Sequence, residues 1–219
     1  MDANFWHQRW KKNEIGFHES EGSLLLKRYF DTLPLSENGQ GARIFVPLCG
    51  KTRDIAWLLN KGLKVVAIEL NQQAVEALFE ELGVKPNITK QTPFTVFSAP
   101  NIVVYVGDFF ALQAQHIQPV DAIFDRAALV ALPPQLREQY TQHLLAISQH
   151  CPQLLITYHY DQALFKGPPF SVPASEVFSH YEQTLVVTPL YTGKIDGGFR
   201  GHNDVFESAY VLVPAASAS

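Results

Sequence analysis

A glycine that closely follows a short apolar segment, with a glutamate 19 residues later, constrains the fold of this chain more than any other feature. Residues 44–48 form the apolar segment, and Gly50 follows it. The next apolar run, 65–68, ends at Glu69. A glycine lets the backbone approach a ligand because it has no Cβ. An acid at the end of the second strand can accept hydrogen bonds from both ribose hydroxyls. The spacing therefore predicts a doubly wound α/β fold with a nucleoside-bearing cofactor.

Three kinds of cofactor fit such a site to different degrees. The sequence Gly50-Lys51-Thr52 resembles the end of a phosphate-binding P-loop, but that loop needs a glycine where this chain has Phe45. A dinucleotide site needs the three glycines of G-x-G-x-x-G, and only one is present. S-adenosylmethionine has no phosphate and needs only a close turn and an acid for its ribose. The residues favour S-adenosylmethionine, with a nicotinamide dinucleotide as the alternative.

Composition and charge limit the class of protein and its partners. The chain has 219 residues, of which 47% are hydrophobic and 17% charged, so we expect a single globular domain over residues 1–219. The net charge of −4, without a basic run, argues against nucleic acid as a partner. No apolar run approaches about 18 residues, so no membrane-spanning segment is predicted. The eight histidines lack ligand spacing, and no metal site is predicted.

Two features predict a cytoplasmic protein. The first seven residues lack the apolar region of a signal peptide. Cys49 and Cys151 are the only cysteines and lie far apart in sequence, which fits a reduced compartment. We expect a monomer that acts on a small molecule.

Helical and strand patterns alternate along most of the chain. Such βα units, closed by an antiparallel pair at 184–192 and 205–213, predict a mostly parallel sheet with an antiparallel edge. Residues 1–30 are predicted to form a helical lid segment, 85–100 an irregular excursion with a short edge strand, and 214–219 a frayed tail. The other predicted strands are 44–48, 64–69, 102–106, 120–125 and 154–158. The predicted helices are 3–12, 21–31, 52–61, a helix capped by Asn71, a helix that begins at Pro133 and Pro134, and 174–181.

Five short blocks occur in a specific order along the chain. They are Phe5-Trp6-His7-Gln8-Arg9-Trp10, Gly16-Phe17-His18, Pro47-Leu48-Cys49-Gly50-Lys51, Asp125-Arg126-Ala127-Ala128-Leu129-Val130-Ala131-Leu132 and Gly167-Pro168-Pro169-Phe170. Together they resemble the thiopurine S-methyltransferase family in its shorter bacterial form, over residues 5 to about 212. The resemblance implies the Rossmann-like class I methyltransferase fold, with a mostly parallel seven-stranded sheet and helices on both faces.

The resemblance implies methylation of an aromatic or heterocyclic thiol, such as a thiopurine, by S-adenosylmethionine. Bacterial members are also linked to selenium and tellurium compounds. Three alternatives remain: a class I methyltransferase for another small nucleophile such as halide or an oxygen acceptor, a nicotinamide-dependent oxidoreductase, and a protein that only senses the cofactor. The aromatic N-terminus argues against the sensor.

The site residues follow from the Gly50–Glu69 spacing together with the resemblance. Arg126 is expected to orient the cofactor or the thiolate and to favour the thiolate electrostatically. No general base is predicted, because aromatic thiols ionise readily. The alternatives are an Asp125–Arg126 ion pair and a core role for two tryptophans, Trp6 and Trp10. The family has glycine where this chain has Ala127. The predicted cofactor contacts are Trp10, Leu48, Gly50, Glu69, Leu70, Asp108, Phe109 and Arg126, and the predicted substrate contacts are Trp6, Phe17, Phe170 and Arg200.

Overall fold

The computed structural model describes residues 3–12, 21–35 and 39–215. In this part of the chain nine strands form one sheet, in the order β3-β4-β5-β2-β1-β6-β7-β9-β8. The strands are β1 (Arg43–Val46), β2 (Lys64–Glu69), β3 (Asn87–Gln91), β4 (Phe94–Ala99), β5 (Ile102–Val106), β6 (Ala122–Arg126), β7 (Gln153–His159), β8 (Leu185–Lys194) and β9 (Phe206–Pro214).

Helices cover both faces of the sheet. Two buried apolar clusters lie on opposite faces: one includes residues of α2, α3 and α4, the other residues of α5, α6 and α7. None of the helices in the described ranges is long and apolar enough to cross a membrane. The helices are α1 (Ala3–Lys11), α2 (Leu24–Tyr29), α3 (Asp54–Asn60), α4 (Gln72–Glu81), α5 (Ala114–Ile117), α6 (Pro134–Ser148) and α7 (Ala174–Tyr181).

The five central strands, β5-β2-β1-β6-β7, are parallel, and β9 and β8 follow as an antiparallel pair. This confirms the predicted mostly parallel sheet with an antiparallel C-terminal pair. The central strands are apolar because both of their faces are covered; β6 is buried along its whole length. Strand β9 continues to Pro214, and residues 216–219 of the predicted tail lie outside the described residues.

Segment 85–100 differs from its predicted form. The predicted edge strand is present as β3, but the segment is a regular hairpin of two strands, β3 and β4, with Gln91 opposite Phe94, and the described part of the sheet has nine strands where the resemblance implies seven. All five residues of β3 are exposed, so this strand carries no alternating apolar pattern. An edge strand without a buried face leaves little signal in the sequence.

The order of the strands fixes where a ligand can bind. The chain runs from β1 through β2 to β5 on one side and from β6 to β7 on the other, so the direction reverses between β1 and β6. In open α/β sheets the ligand crevice lies at the carboxyl ends of the strands at this switch point. The carboxyl ends of β1 and β6 lead into residues 47–52 and 127–131.

Candidate active site

A cavity of about 370 Å³ opens at this carboxyl edge. Residues that follow β1, β2, β5 and β6 line it, and so do residues of α1, α6 and the loop before β9. Cavities of a few hundred Å³ that combine apolar walls with a few polar groups are typical of small-molecule sites. The cavity is therefore the candidate active site.

The turn after β1 brings backbone to the cavity wall. Leu48 and Gly50 both line the cavity and both adopt positive φ angles, 45° and 53°. The amide of Cys49 donates to the Ile68 carbonyl at 2.9 Å, which ties the turn to β2. A tight left-handed turn of this kind favours glycine, because a Cβ strains that conformation.

Glu69 lies at the end of β2, where the sequence predicts a ribose acceptor. Its Oε2 accepts from the Gly50 amide at 2.8 Å, and its Oε1 accepts from the Asn71 amide at 2.8 Å. The side chain lines the cavity and the residue is 6% exposed. Burial raises the pKa of this carboxyl, and the backbone hydrogen bonds oppose that rise. Each oxygen keeps a second lone pair, so the carboxylate can still accept from a ligand.

Helix α1 closes one side of the cavity with Trp6, Arg9 and Trp10. A hydrogen bond joins α1 to the turn after β2. The Oδ1 of Asn71 accepts from the Ala74 amide of α4 at 3.2 Å. The Nδ2 of Asn71 therefore points the other way and faces the Nδ1 of His7, 3.1 Å away. Both tryptophans are half-buried and lie on the cavity wall, so neither is a fully buried core anchor.

The segment after β5 supplies another part of the wall. Asp108 accepts from the Phe110 amide at 3.0 Å and caps the short 3-10 helix Phe109–Ala111. Asp108, Phe109 and Leu70 all line the cavity, as predicted for cofactor contacts. The Phe109 ring packs against Tyr140 of α6, with 4.8 Å between ring centroids.

Arg126 ends β6 and is nearly buried, with 5% of its side chain exposed. It lines the cavity and lies 3.7 Å from Oδ2 of Asp54, at the start of α3. Asp54 also accepts from Thr52 Oγ1 at 2.8 Å. The alternative Asp125–Arg126 pair is wrong, because neighbouring residues of a strand face opposite sides. Asp125 instead accepts from the Tyr140 hydroxyl at 2.7 Å.

Ala127 follows with a φ of 62°, in the left-handed region. It lines the cavity. This conformation favours glycine, the residue that the family resemblance predicts at this position, since alanine there is strained by about 1–2 kcal/mol.

Two of the four predicted substrate residues, Trp6 and Arg200, lie on the cavity wall, whereas Phe17 lies outside the described residues. Arg200 donates to the Pro168 carbonyl at 2.7 Å, and its guanidinium lies over the rings of Phe165 and Phe199 at 5.2 and 5.3 Å. Partial burial lowers the pKa of Arg200, and the nearby charge of Arg9 acts in the same direction.

Phe170 is not among the residues that line the cavity, so the structure does not place it with the other predicted substrate contacts. Its amide donates to the Val130 carbonyl at 2.7 Å, and the guanidinium of Arg137 lies 5.7 Å from its ring. These contacts hold the Phe170 ring behind the residues that line the cavity. Pro168 and Pro169 of the same block line the cavity in its place.

Tyr158 and Glu207 also line the cavity, from neighbouring strands, and are not among the predicted site residues. They lie directly opposite each other in the β7–β9 ladder. Tyr158 ends the predicted strand 154–158, at the carboxyl edge, so a signal for it existed. Glu207 reaches this edge only because β9 runs antiparallel to β7. Within the described ranges, no group of three His, Cys, Asp or Glu side chains is placed to hold a metal ion.

Comparison with known proteins agrees with this geometry. The family model for thiopurine S-methyltransferase matches residues 1–211. Proteins named thiopurine S-methyltransferase from Xanthobacter autotrophicus and Teredinibacter turnerae are 48% and 42% identical to this chain. The alignments cover 97% of this chain in both cases, and 99% and 97% of those proteins.

Solved structures with a similar fold include two methyltransferases. One is an S-adenosylmethionine-dependent methyltransferase from Anabaena variabilis, with a TM-score of 0.64 and 15% identity over 97% of this chain and 95% of that one. The other is the 1,6-didemethyltoxoflavin-N1-methyltransferase of Burkholderia thailandensis with bound S-adenosylhomocysteine, with a TM-score of 0.63 and 13% identity over 98% of this chain and 87% of that one. The fold is thus the class I methyltransferase fold. The chain belongs to the thiopurine S-methyltransferase family, and it is an S-adenosylmethionine-dependent methyltransferase.

Proposed function

We propose that this enzyme methylates the sulfur of small aromatic or heterocyclic thiols, thiopurines among them. One observation carries the proposal. The same cavity is lined by Gly50 after β1, by Glu69 at the end of β2 and by a wall of aromatic and arginine side chains. The name shared by the relatives supports the same substrate class.

The residues at one end of the cavity fit S-adenosylmethionine. The Glu69 carboxylate would accept the ribose hydroxyls, and the turn at Leu48 and Gly50 would let the backbone meet the amino-acid end. Asp108 and Phe109 would hold the adenine, with Leu70 and Trp10 completing the wall. When bound, this cofactor supplies a methyl group on a positively charged sulfur.

The opposite wall fits a flat acceptor. The rings of Trp6 and Phe199 would pack against an aromatic ring and exclude water. Arg126 would favour the thiolate over the thiol, because a nearby positive charge stabilises an anion. Arg200 would contact the ring's polar substituents. Methyl transfer needs the sulfur about 3–3.5 Å from the methyl carbon and in line with the breaking bond. A site that holds the nucleophile there removes much of the entropic part of the reaction's barrier. The same arrangement suits selenium or tellurium nucleophiles.

Helix α1 is the proposed lid over this cavity. It contributes Trp6 and Trp10 to the wall, and a hydrogen bond between His7 and Asn71 ties it to the turn after β2. Large apolar side chains left in water cost roughly 1.5–3 kcal/mol each, so the tryptophans favour a closed position over bound ligand. Residues 1–2 and 13–20 of the predicted lid segment, residues 1–30, lie outside the described residues.

We further propose that the enzyme is a single-domain cytoplasmic monomer that does not act on nucleic acid. The net charge of −4 and the two free, buried cysteines, Cys49 and Cys151, support this setting.

Calorimetry with S-adenosylmethionine, NADH and ATP, followed by assays with methyl-labelled cofactor, tests the proposal. We expect the enzyme to bind S-adenosylmethionine but neither NADH nor ATP. We also expect transfer of the label to the sulfur of 6-mercaptopurine or thiophenol. Matched acceptors that carry a hydroxyl in place of the thiol, hypoxanthine and phenol, should stay unlabelled. Transfer to the hydroxyl compounds or to iodide, without transfer to thiols, would replace the proposed substrate class.

A further inference from the structure

Asp125 is a fully buried carboxylate that the proposed mechanism does not use. Its Oδ2 accepts from the Tyr140 hydroxyl at 2.7 Å, and its Oδ1 accepts from the Leu129 amide at 3.2 Å. Hydrogen bonds to a charged partner are stronger than those between neutral groups, and an unpaired carboxylate in such a place would be costly. A buried charge with two directed partners holds both of them in place.

Each partner of Asp125 leads to the cavity wall. Tyr140 lines the cavity and packs against Phe109, with 4.8 Å between the ring centroids. Leu129 begins the short 3-10 helix Leu129–Ala131, and two of its residues, Val130 and Ala131, line the cavity. One carboxylate thus connects the wall after β5 to the wall after β6.

We infer that Asp125 is a positioning residue of the cofactor site: through Tyr140 and Leu129 it sets the two walls between which the adenosyl part of S-adenosylmethionine lies. The inference rests on the cofactor placement proposed above. Asp125 itself is fully buried and does not line the cavity.

The ionised form of Asp125 suits this role, because a carboxylate accepts at both oxygens. Burial raises the pKa of Asp125 to about 6, while the hydrogen bonds from Tyr140 and from the backbone act to lower it. Two phenols interact with it electrostatically, Tyr140 on α6 and Tyr181 on α7. The carboxylate is therefore the main form at neutral pH.

The chain offers a matched control for Tyr140. Tyr181 is also fully buried and also interacts with Asp125 electrostatically. It does not line the cavity, and its hydroxyl has no hydrogen-bond partner among the described residues. Removal of either hydroxyl is the same chemical change, but only Tyr140 connects Asp125 to the cavity.

The test compares Tyr140→Phe with Tyr181→Phe, with Asp125→Asn as a third variant. We expect Tyr140→Phe to raise the Kd for S-adenosylhomocysteine, measured by calorimetry, about tenfold, which corresponds to about 1.4 kcal/mol. Tyr181→Phe should stay within twofold of wild type. In kinetic assays Tyr140→Phe should raise KM for S-adenosylmethionine and leave KM for the thiol unchanged. Asp125→Asn should also weaken binding, because a neutral amide forms weaker hydrogen bonds than the carboxylate and accepts at one atom only.

Two results would overturn the inference, and they differ. If wild type and Tyr140→Phe bind S-adenosylhomocysteine equally tightly, the Asp125–Tyr140 bond supports the fold and not the site. If the wild-type protein does not bind S-adenosylhomocysteine, the cofactor placement itself is wrong and the inference falls with it.

Discussion

Replacement of Glu69 by glutamine is the sharpest test of the cofactor site. The carboxylate accepts one backbone amide at each oxygen, from Gly50 and from Asn71, both at 2.8 Å. Glutamine keeps the size of the side chain but replaces one oxygen with a donor. That donor must face a backbone N–H, so one of the two bonds is lost. One acceptor for the ribose is lost with it.

The structure sets the size of the expected effect. A hydrogen bond to a charged group contributes roughly 1.5–3 kcal/mol. Glu69→Gln should therefore raise the Kd for S-adenosylhomocysteine by about 10- to 150-fold. The unpaired backbone N–H should also destabilise the fold by about 1–3 kcal/mol. Removal of a buried charge, whose cost is seen in the raised pKa of Glu69, offsets part of this loss.

Isothermal titration calorimetry with S-adenosylhomocysteine measures the change in affinity, and urea unfolding measures the change in stability. Glu76→Gln is the matched control, because Glu76 lies exposed on α4, the helix that follows Glu69, and does not line the cavity. The control should bind like wild type. If Glu69→Gln binds within a factor of two of wild type, Glu69 does not hold the ribose.

Four further predictions concern the same region. Arg126→Lys keeps the charge but loses the planar fork, so kcat/KM should fall more than tenfold with little change in Tm; a large loss of Tm with normal turnover would instead show that Arg126 serves only as the partner of Asp54. Ala127→Gly relieves a left-handed conformation and should raise Tm by about 1–3 °C, whereas a lower Tm would show that the turn is not strained. Burial raises the pKa of Asp125 from its ordinary value of 3.8 to about 6 in the fold, so the folded state binds more protons between these values and stability falls as pH rises. Relative to Asp125→Asn, wild type should lose about 2 kcal/mol of unfolding free energy between pH 4 and pH 7; a constant difference would show that this carboxyl does not titrate there. Hydrogen exchange in residues 3–12 should be fast in the apoenzyme and slow with S-adenosylhomocysteine bound, and equal protection in both states would show that α1 is not a lid.

The sequence predicts the parallel core of the fold because its signals are local. Gly50 and Glu69 lie 19 residues apart, within one strand–helix–strand unit, and the structure joins them by a 2.8 Å hydrogen bond. The sequence predicts strand β2 at its observed bounds, 64–69, since the strand is apolar on both faces. Helix α4 begins after Asn71, the residue that caps it.

Other features depend on contacts that no local pattern contains. Glu207 reaches the cavity through the register of β9 on β7, and this register joins residues about 50 positions apart. Phe170 was expected to contact the substrate because it belongs to a family block, but the block's two prolines face the cavity and its ring faces Arg137. The sequence identifies such a block without showing which of its side chains points inward.

The reversed direction of β9 has a consequence for how substrate preference can change. The loop from 195 to 205 precedes β9, yet it opens at the same edge as the loops that follow the parallel strands. Ile195, Phe199 and Arg200 of this loop line the cavity. Gly50 and Glu69, the proposed cofactor contacts, come from the first third of the chain. Insertions or substitutions in the loop leave the parallel strands in register. A library randomised at these three positions should therefore yield enzymes with new acceptors that still use the same methyl donor.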